Sequence, residues 1–242
     1  MDKLIFTAVS GAEHLMRAQQ VHANNLANLD TPGFRANLEL ASKSQAQNGY
    51  GYDDMHLVRT EADAISAKPG TVRETGRALD VAIQGSGYFA VQYGGGEAYT
   101  RAGAIEVGAD GALTVQGQPL LGEGGPITLP PHTAVEIAAD GTVSVLANGA
   151  TSMQVIDRLR LVNAEASEVT KNEAGLIVAR GGDPLPADPN VRVQARALEG
   201  SNVSAIEEMV ATMSLNRAFE LQMKLFAAGD KMNEAGNRLL GA

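Results

Sequence analysis

The hydrophobic period of this chain changes twice, and that change limits the possible folds more tightly than anything else in the sequence. Ile5, Ala8, Ala12, Leu15, Gln19, His22, Leu26 and Leu29 recur at alternating spacings of three and four. This is the seam of an amphipathic helix with two polar interruptions. A helix over residues 3–28 would run roughly 40 Å at ~1.5 Å per residue. From Thr71 to Ala197 the period drops to two. Leu79–Ile83 alternates, Gly87–Val91 is a second run, and Gln84-Gly85-Ser86-Gly87 turns between them. Further short runs fall at 112–115, 126–130, 135–138, 142–145, 157–163, 176–179 and 191–197, with Asp110-Gly111 and Asp140-Gly141 as hairpin turns. After Ser201 the helical period returns. Ile206, Met209, Val210 and Met213 form one apolar patch, which Leu215, Phe219, Met223 and Phe226 extend. Ser204 with Glu207 fits a capping box, and Asn202 is an alternative cap. Glu207 and Glu208 sit in the first turn, where the helix dipole favours carboxylates. Running to Arg238, this helix would span about 50 Å at ~1.5 Å per residue.

The expected fold is therefore α+β. A central all-β module of residues 71–199 lies between long N- and C-terminal helices, 1–30 and 200–242, which pack on each other. Residues 31–70 read as an extended connector, with a polar turn-rich stretch at Gln45–Asp54 and a short strand near Met55–Arg59. Each helix has an apolar stripe with little local sequence to cover it, so many copies side by side would cover it. Such helices are marginal alone, and both ends are expected to be partly disordered in the free monomer.

The first helix ends in NNLANLDTPGFR, residues 24–35. Asn is a mediocre helix former because its amide competes for the backbone, so several here suggest a specific contact surface. Thr31 is pushed out of the helical region by the proline that follows, and Pro32-Gly33 suit the centre of a type II turn. Asn24 and Asn28 lie one helical turn apart on one face, with Asn25 on another. The expectation is that Asn24 and Asn28 bond a partner helix or a neighbouring copy and fix its register, while Phe34 anchors the exit.

Composition narrows the chemistry. The 242 residues suffice for one large domain or two small ones, and the net charge of −9 without a basic stripe argues against nucleic acid. The absence of cysteine excludes disulfides, thiolate metal sites and a cysteine nucleophile. The start MDKLIFTAVSGAEHLMR has too short an apolar run for a cleaved secretory signal. No stretch approaches the ~20 apolar residues of a membrane span. Composition alone makes the cytosol the default. His14, His22, His56 and His132 have no ligand-like spacing, and His22 reads as a packing histidine on the seam. No nucleophile elbow or phosphate loop precedes a helix. Asp80 and Glu106 could serve as a glycosidase pair, but Asp80 is as readily explained by solvent exposure or a turn bond. Asn202-Val203-Ser204 matches a glycosylation sequon that helix capping also explains. The methionines of the last helix suit both core and adaptable contacts. No catalytic residue, metal or cofactor is expected.

Five segments carry a resemblance: ANNLANLDTPGF at 23–34, GRALDVAIQGSGYFAV at 76–91, AYTRAGAIEV at 98–107, LEGSNVSAIEEM at 198–209 and NRAFELQMKLF at 216–226. Together they resemble the bacterial flagellar rod and hook proteins, in order and along nearly the whole chain. MDKLIFTAVSGA is more like the proximal-rod branch than the distal rod, and the short middle argues against the hook protein. His22, Asp30 and Asn216 depart from the residues frequent in the family. The resemblance implies export through the flagellar type III apparatus without a cleaved signal, replacing the cytosolic default. It implies helical assembly with other rod subunits and with copies of the same chain, in a hollow periplasm-spanning shaft with the terminal helices inside and the β module outside. Membrane insertion is not expected. The assembly residues then read as Leu15, Asn24, Asn25, Leu26, Asn28, Leu29, Pro32, Gly33, Phe34, Asn202, Ile206, Met209, Met213, Phe219 and Phe226. A torque-carrying structural subunit is the function this implies, with open helical growth from contacts that do not close. The alternatives are another axial paralogue, such as the distal rod, or a secreted β-rich carbohydrate-binding module or hydrolase.

Overall fold

The computed structural model describes residues 2–45 and 56–240. Most of the turn-rich stretch, 46–54, and the expected strand start at Met55 lie outside them. The described residues mix helix and antiparallel sheet, an α+β protein with helices α1 (Asp2–Ala27) and α2 (Ala205–Leu240). They divide into two compact units: Met1–Ala27, Asn37–Asp63 and Ser204–Ala242 in one, Asn28–Ala36 and Ala64–Val203 in the other. No described helix is long and apolar enough to cross a membrane.

In the first unit α1 runs antiparallel to α2. A Cβ on Gly11 would touch the Gln222 side-chain amide at 3.2 Å, and eleven residues further along α1, His22 bonds Glu208. The strands Asn37–Gln45 and His56–Ile65 pair with each other. The segment expected as a connector thus holds two paired strands, of nine and ten residues.

The second unit is built from short antiparallel strands, and its Asp-Gly turns show why. At Asp110-Gly111, Gly111 takes φ +83° and Asp110 Oδ1 accepts from the Ala112 N–H at 3.2 Å. At Asp140-Gly141, Gly141 takes φ +88° and Asp140 Oδ1 accepts from the Thr142 N–H at 3.0 Å. The aspartate closes the turn and the glycine takes the left-handed position. These turns set the registers Val107↔Leu113 and Ile137↔Val143. The largest sheet has five strands in the order 161–162, 88–93, 96–100, 177–179, 169–171. Strand Tyr88–Tyr93 is its pivot: Phe89 and Val91 join one buried cluster with Val81, Ile105 and Leu113, while Tyr88 and Ala90 join another with Tyr99 and Val162. Burial on both faces explains why GYFAV reads as a continuous apolar run.

Two expectations are revised here. Residues 126–130 do not form a strand. Only Gly125–Pro126 pairs, with a single bridge at Thr128, because Pro126 and Pro130 have no N–H to give a ladder. The expected run at 191–197 divides at Arg196 (φ +60°) into Arg192–Ala195, paired with Val81–Gln84, and Ala197–Glu199, paired with Val72–Glu74.

Candidate functional site

The exit from α1 is a type II turn inside the second unit. The Phe34 N–H donates to the Thr31 carbonyl at 3.2 Å, with Pro32 at the first central position and Gly33 at φ +69° in the second. Gly33 is constrained twice over. A Cβ there would lie 2.2 Å from the Ala102 nitrogen and 2.5 Å from the Arg101 oxygen. Its N–H donates to the Glu199 carbonyl at 2.8 Å.

Directly beyond the turn lies a buried charge cluster. Arg35, Arg101 and Glu199 are 3%, 3% and 2% exposed. Arg35 Nη2 meets Glu199 Oε1 at 2.9 Å and Arg101 Nη1 meets Oε2 at 3.5 Å. The Gly70 N–H also donates to Oε1, at 2.8 Å. Arg35 donates to the Lys68 carbonyl and Arg101 to the Gly85 carbonyl. Burial lowers the Arg101 guanidinium to about 10, and the Glu199 carboxylate opposes that shift. The Phe34 ring carries the Lys171 ammonium at 3.8 Å from the centroid, and Lys171 Nζ donates to the Arg35 carbonyl at 2.6 Å. Burial lowers Lys171 to about 8.

Asn202 belongs to the same closure. The Ala36 N–H donates to its Oδ1 at 2.7 Å, and its Nδ2 donates to the Lys68 carbonyl at 2.8 Å. Asn202 is therefore not the cap of α2. Ser204 is, its Oγ accepting from the Glu207 N–H at 3.5 Å. The committed amide also answers the sequon.

In the first unit one asparagine of this stretch is buried. Asn25, not Asn24 or Asn28, is the buried one, at 1% exposure. Its Oδ1 accepts from the Asn37 N–H at 2.8 Å, and its Nδ2 donates to the Asn37 carbonyl at 3.0 Å and to Glu208 Oε1 at 3.2 Å. Asn24 Oδ1 accepts from the Asn37 side chain, and in the second unit Asn28 Oδ1 accepts from Thr31. Of the residues expected on α1, Leu15 and Leu26 are half-buried, as is Leu29 just beyond it, while Pro32 is exposed in the turn. On α2, Phe219 is half-buried, whereas Ile206, Met209, Met213 and Phe226 are exposed. Leu221, Leu225 and Met232 are exposed as well, so α2 presents a large apolar surface to solvent. Asp80 is held by Arg77 at 3.0 Å, the turn-bonding role, and Glu106 is exposed.

Sequence reading missed the buried triad. Its signal was three charges set in otherwise apolar or small-residue surroundings, GFRA, YTRAG and ALEG. Such charges need a partner if they are buried.

Models of three known families match along the chain. Residues 5–35 match a flagella basal body rod protein family, 82–145 the D1 domain of flagellar hook protein FlgE/F/G, and 194–239 the C-terminal region of flagellar basal body rod FlgEFG proteins. The flagellar basal-body rod protein FlgF of Salmonella typhimurium (strain LT2) is 41% identical over 249 residues, covering 99% of each chain. The chain belongs to the flagellar basal-body rod protein family. FlgF of Escherichia coli (strain K12) is likewise 41% identical, covering 99% of each chain. FlgG of Buchnera aphidicola subsp. Acyrthosiphon pisum is 30% identical over 89% of this chain and 92% of its own. The exit turn, Arg35 and Asn25 all fall within the first matched stretch of this rod family, and Glu199, Asn202 and Glu208 within the last.

Proposed function

We propose that this chain is a structural subunit of the flagellar basal-body rod, at the proximal position, and that it carries torque rather than catalysing a reaction. The observation that carries the reading is likeness to FlgF at 41% identity over 99% of each chain. The exposed apolar face of α2 supports assembly, since scattered surface leucines and methionines are ordinary but a sustained stripe along one long helix is a contact surface. In this reading α1 and α2 pair to form the inner tube of a hollow helical shaft. The β-rich unit lies outside, and partners are other rod subunits and further copies of the chain. Export proceeds through the flagellar apparatus without a cleaved signal, and a cysteine-free chain avoids disulfide trapping on the oxidising side of the membrane. The test is to purify intact basal bodies from the native cell and quantify this chain by peptide mass spectrometry. Abundance comparable to the other rod subunits is expected. Complete basal bodies lacking it would overturn the reading.

A further inference from the structure

The buried triad does not balance its own charge. Arg35 and Arg101 bring two guanidiniums to one carboxylate, and they share it unequally. Glu199 Oε1 stands 2.9 Å from Arg35 Nη2, but Oε2 is 3.5 Å from Arg101 Nη1, too long for a good charge-assisted hydrogen bond. Glu199 Oε2 and Arg101 Nε are both buried without a hydrogen-bond partner among the described residues. Arg101 otherwise donates to two backbone carbonyls, of Ile83 at 3.4 Å and of Gly85. Burial without a close anion lowers this guanidinium to about 10. A buried cation with a spare donor is costly unless something negative completes it.

Arg35 and Arg101 also line a cleft of about 530 Å³ that lies entirely in the second unit. That volume is ordinary for a small-molecule site. Ser86 and Tyr88 line it too. The Arg101 guanidinium sits 5.8 Å from the centroid of the Tyr88 ring, and the Tyr88 hydroxyl has no hydrogen-bond partner among the described residues. The other charges of the lining are Glu165 and Glu168, both exposed. They sit in a tight turn in which the Glu165 N–H donates to Glu168 Oε2 at 2.9 Å. The cleft therefore carries two signs of charge, buried guanidiniums and solvated carboxylates. A simple anion would suit the first and be repelled by the second, and a simple cation the reverse. A ligand bearing both charges suits both.

We propose that this cleft binds a small zwitterion of the amino-acid type, its carboxylate taken by Arg101 and the Tyr88 hydroxyl and its ammonium turned to Glu165 and Glu168. A guanidinium is the group best matched to a carboxylate, and the phenol adds a donor without adding charge. The exposed carboxylates contribute selectivity more than affinity, since solvated ion pairs are weak. The site is carried wholly by the second unit, so the inference does not depend on how the helices assemble.

The test titrates the isotope-labelled full-length protein, at constant ionic strength, with three probes of similar length: γ-aminobutyrate, butyrate and butylamine. Nuclear magnetic resonance follows the Ser86–Tyr88 backbone amides and the Arg101 Nε–H. γ-Aminobutyrate should shift them saturably, butyrate should bind about fivefold more weakly, and butylamine should leave them unchanged. Glu165→Gln should abolish the preference for γ-aminobutyrate over butyrate. Tyr88→Phe, which keeps the ring beside Arg101, should weaken both carboxylates about tenfold. Neither altered side-chain group makes a hydrogen bond among the described residues, so both variants should fold, and the triad itself stays untouched. No saturable shift with either carboxylate would overturn the site. Equal binding of the two carboxylates to the native chain, or the same shifts with butylamine, would overturn the zwitterion as its ligand.

Discussion

Gly33 is constrained by its backbone conformation and by close contact at once. Gly33→Ala meets both a φ of +69° and backbone atoms 2.2–2.5 Å from the new Cβ. A loss of at least about 2 kcal/mol is expected, read as a lowered midpoint in thermal unfolding of the full chain. An unchanged midpoint would mean the turn can relocate. Arg35→Met removes one of two cations from a carboxylate that is 2% exposed, and about 3–5 kcal/mol of stability should go with it. The double variant Arg35→Met/Glu199→Met should recover none of that loss, because it leaves Arg101, 3% exposed, without a carboxylate; a double variant more stable than the single would refute the pairing account. Lys171 gives a pH signature. Burial holds it at about 8 in the folded protein against 10.5 ordinarily. Between pH 8 and 10 the folded form sheds this proton before the unfolded chain does, so stability should rise with pH across that window. Phe34 and the Arg35 carbonyl favour the charged form and temper the rise. Lys171→Met should flatten the unfolding midpoint over pH 8–10; the same slope in both proteins would assign it elsewhere. At this scale the sequence was readable where one residue type answers one local demand, as Pro32-Gly33 answers the turn. It was unreadable where a distant strand supplies the partner. Nothing around Asn24, Asn25 and Asn28 says that Asn37 and Glu208 will select the middle one.

Elements were legible in proportion to how locally they are determined. The C-terminal helix, both Asp-Gly hairpins and the Ser204 cap follow from neighbouring residues. Strands Gly96–Thr100 and Ile105–Val107 were not foreseen as strands, because three consecutive glycines precede or open the first and three residues are too few to show a period. They exist because Tyr88–Tyr93 and Leu113–Val115 offer them edges. The two candidate caps of α2 now separate by element. Ser204→Ala should cost about 1 kcal/mol and speed amide exchange in the first turn of α2, at Glu207 and Glu208. Asn202→Ala should leave that turn as it is and instead expose the Ala36 amide, which donates to the lost side-chain oxygen. Exchange measured on the intact chain checks both at once, and fraying of α2 in Asn202→Ala would reverse the assignment.

At the scale of the whole molecule, the sequence placed the β module at 71–199 from periodicity, which sees strands but not the segments that close them. The structure adds 28–36 and 64–70 to the same unit. Ile65 and Ala36 are buried within it, the Ser66 N–H donates to the Ala36 carbonyl at 2.9 Å, and Arg35 and the Gly70 N–H supply half of the Glu199 environment. A fragment cut at the periodicity boundary, 71–199, therefore keeps Arg101 and Glu199 but loses Arg35, the Gly70 donor and the turn that covers Arg101. A fragment of residues 28–203 keeps all of them. The expectation is that 28–203 unfolds in one cooperative thermal transition, while 71–199 is destabilised by about 3–5 kcal/mol or does not fold. Equal midpoints for the two fragments would show that the exit segment is carried by the module rather than built into it. If the longer fragment alone is stable, removing α1 and α2 would abolish assembly without unfolding the β-rich unit. The division of labour proposed for the rod subunit would then be a property of this chain's own folding, since the helices depend on partners for their apolar face and the other unit closes on itself.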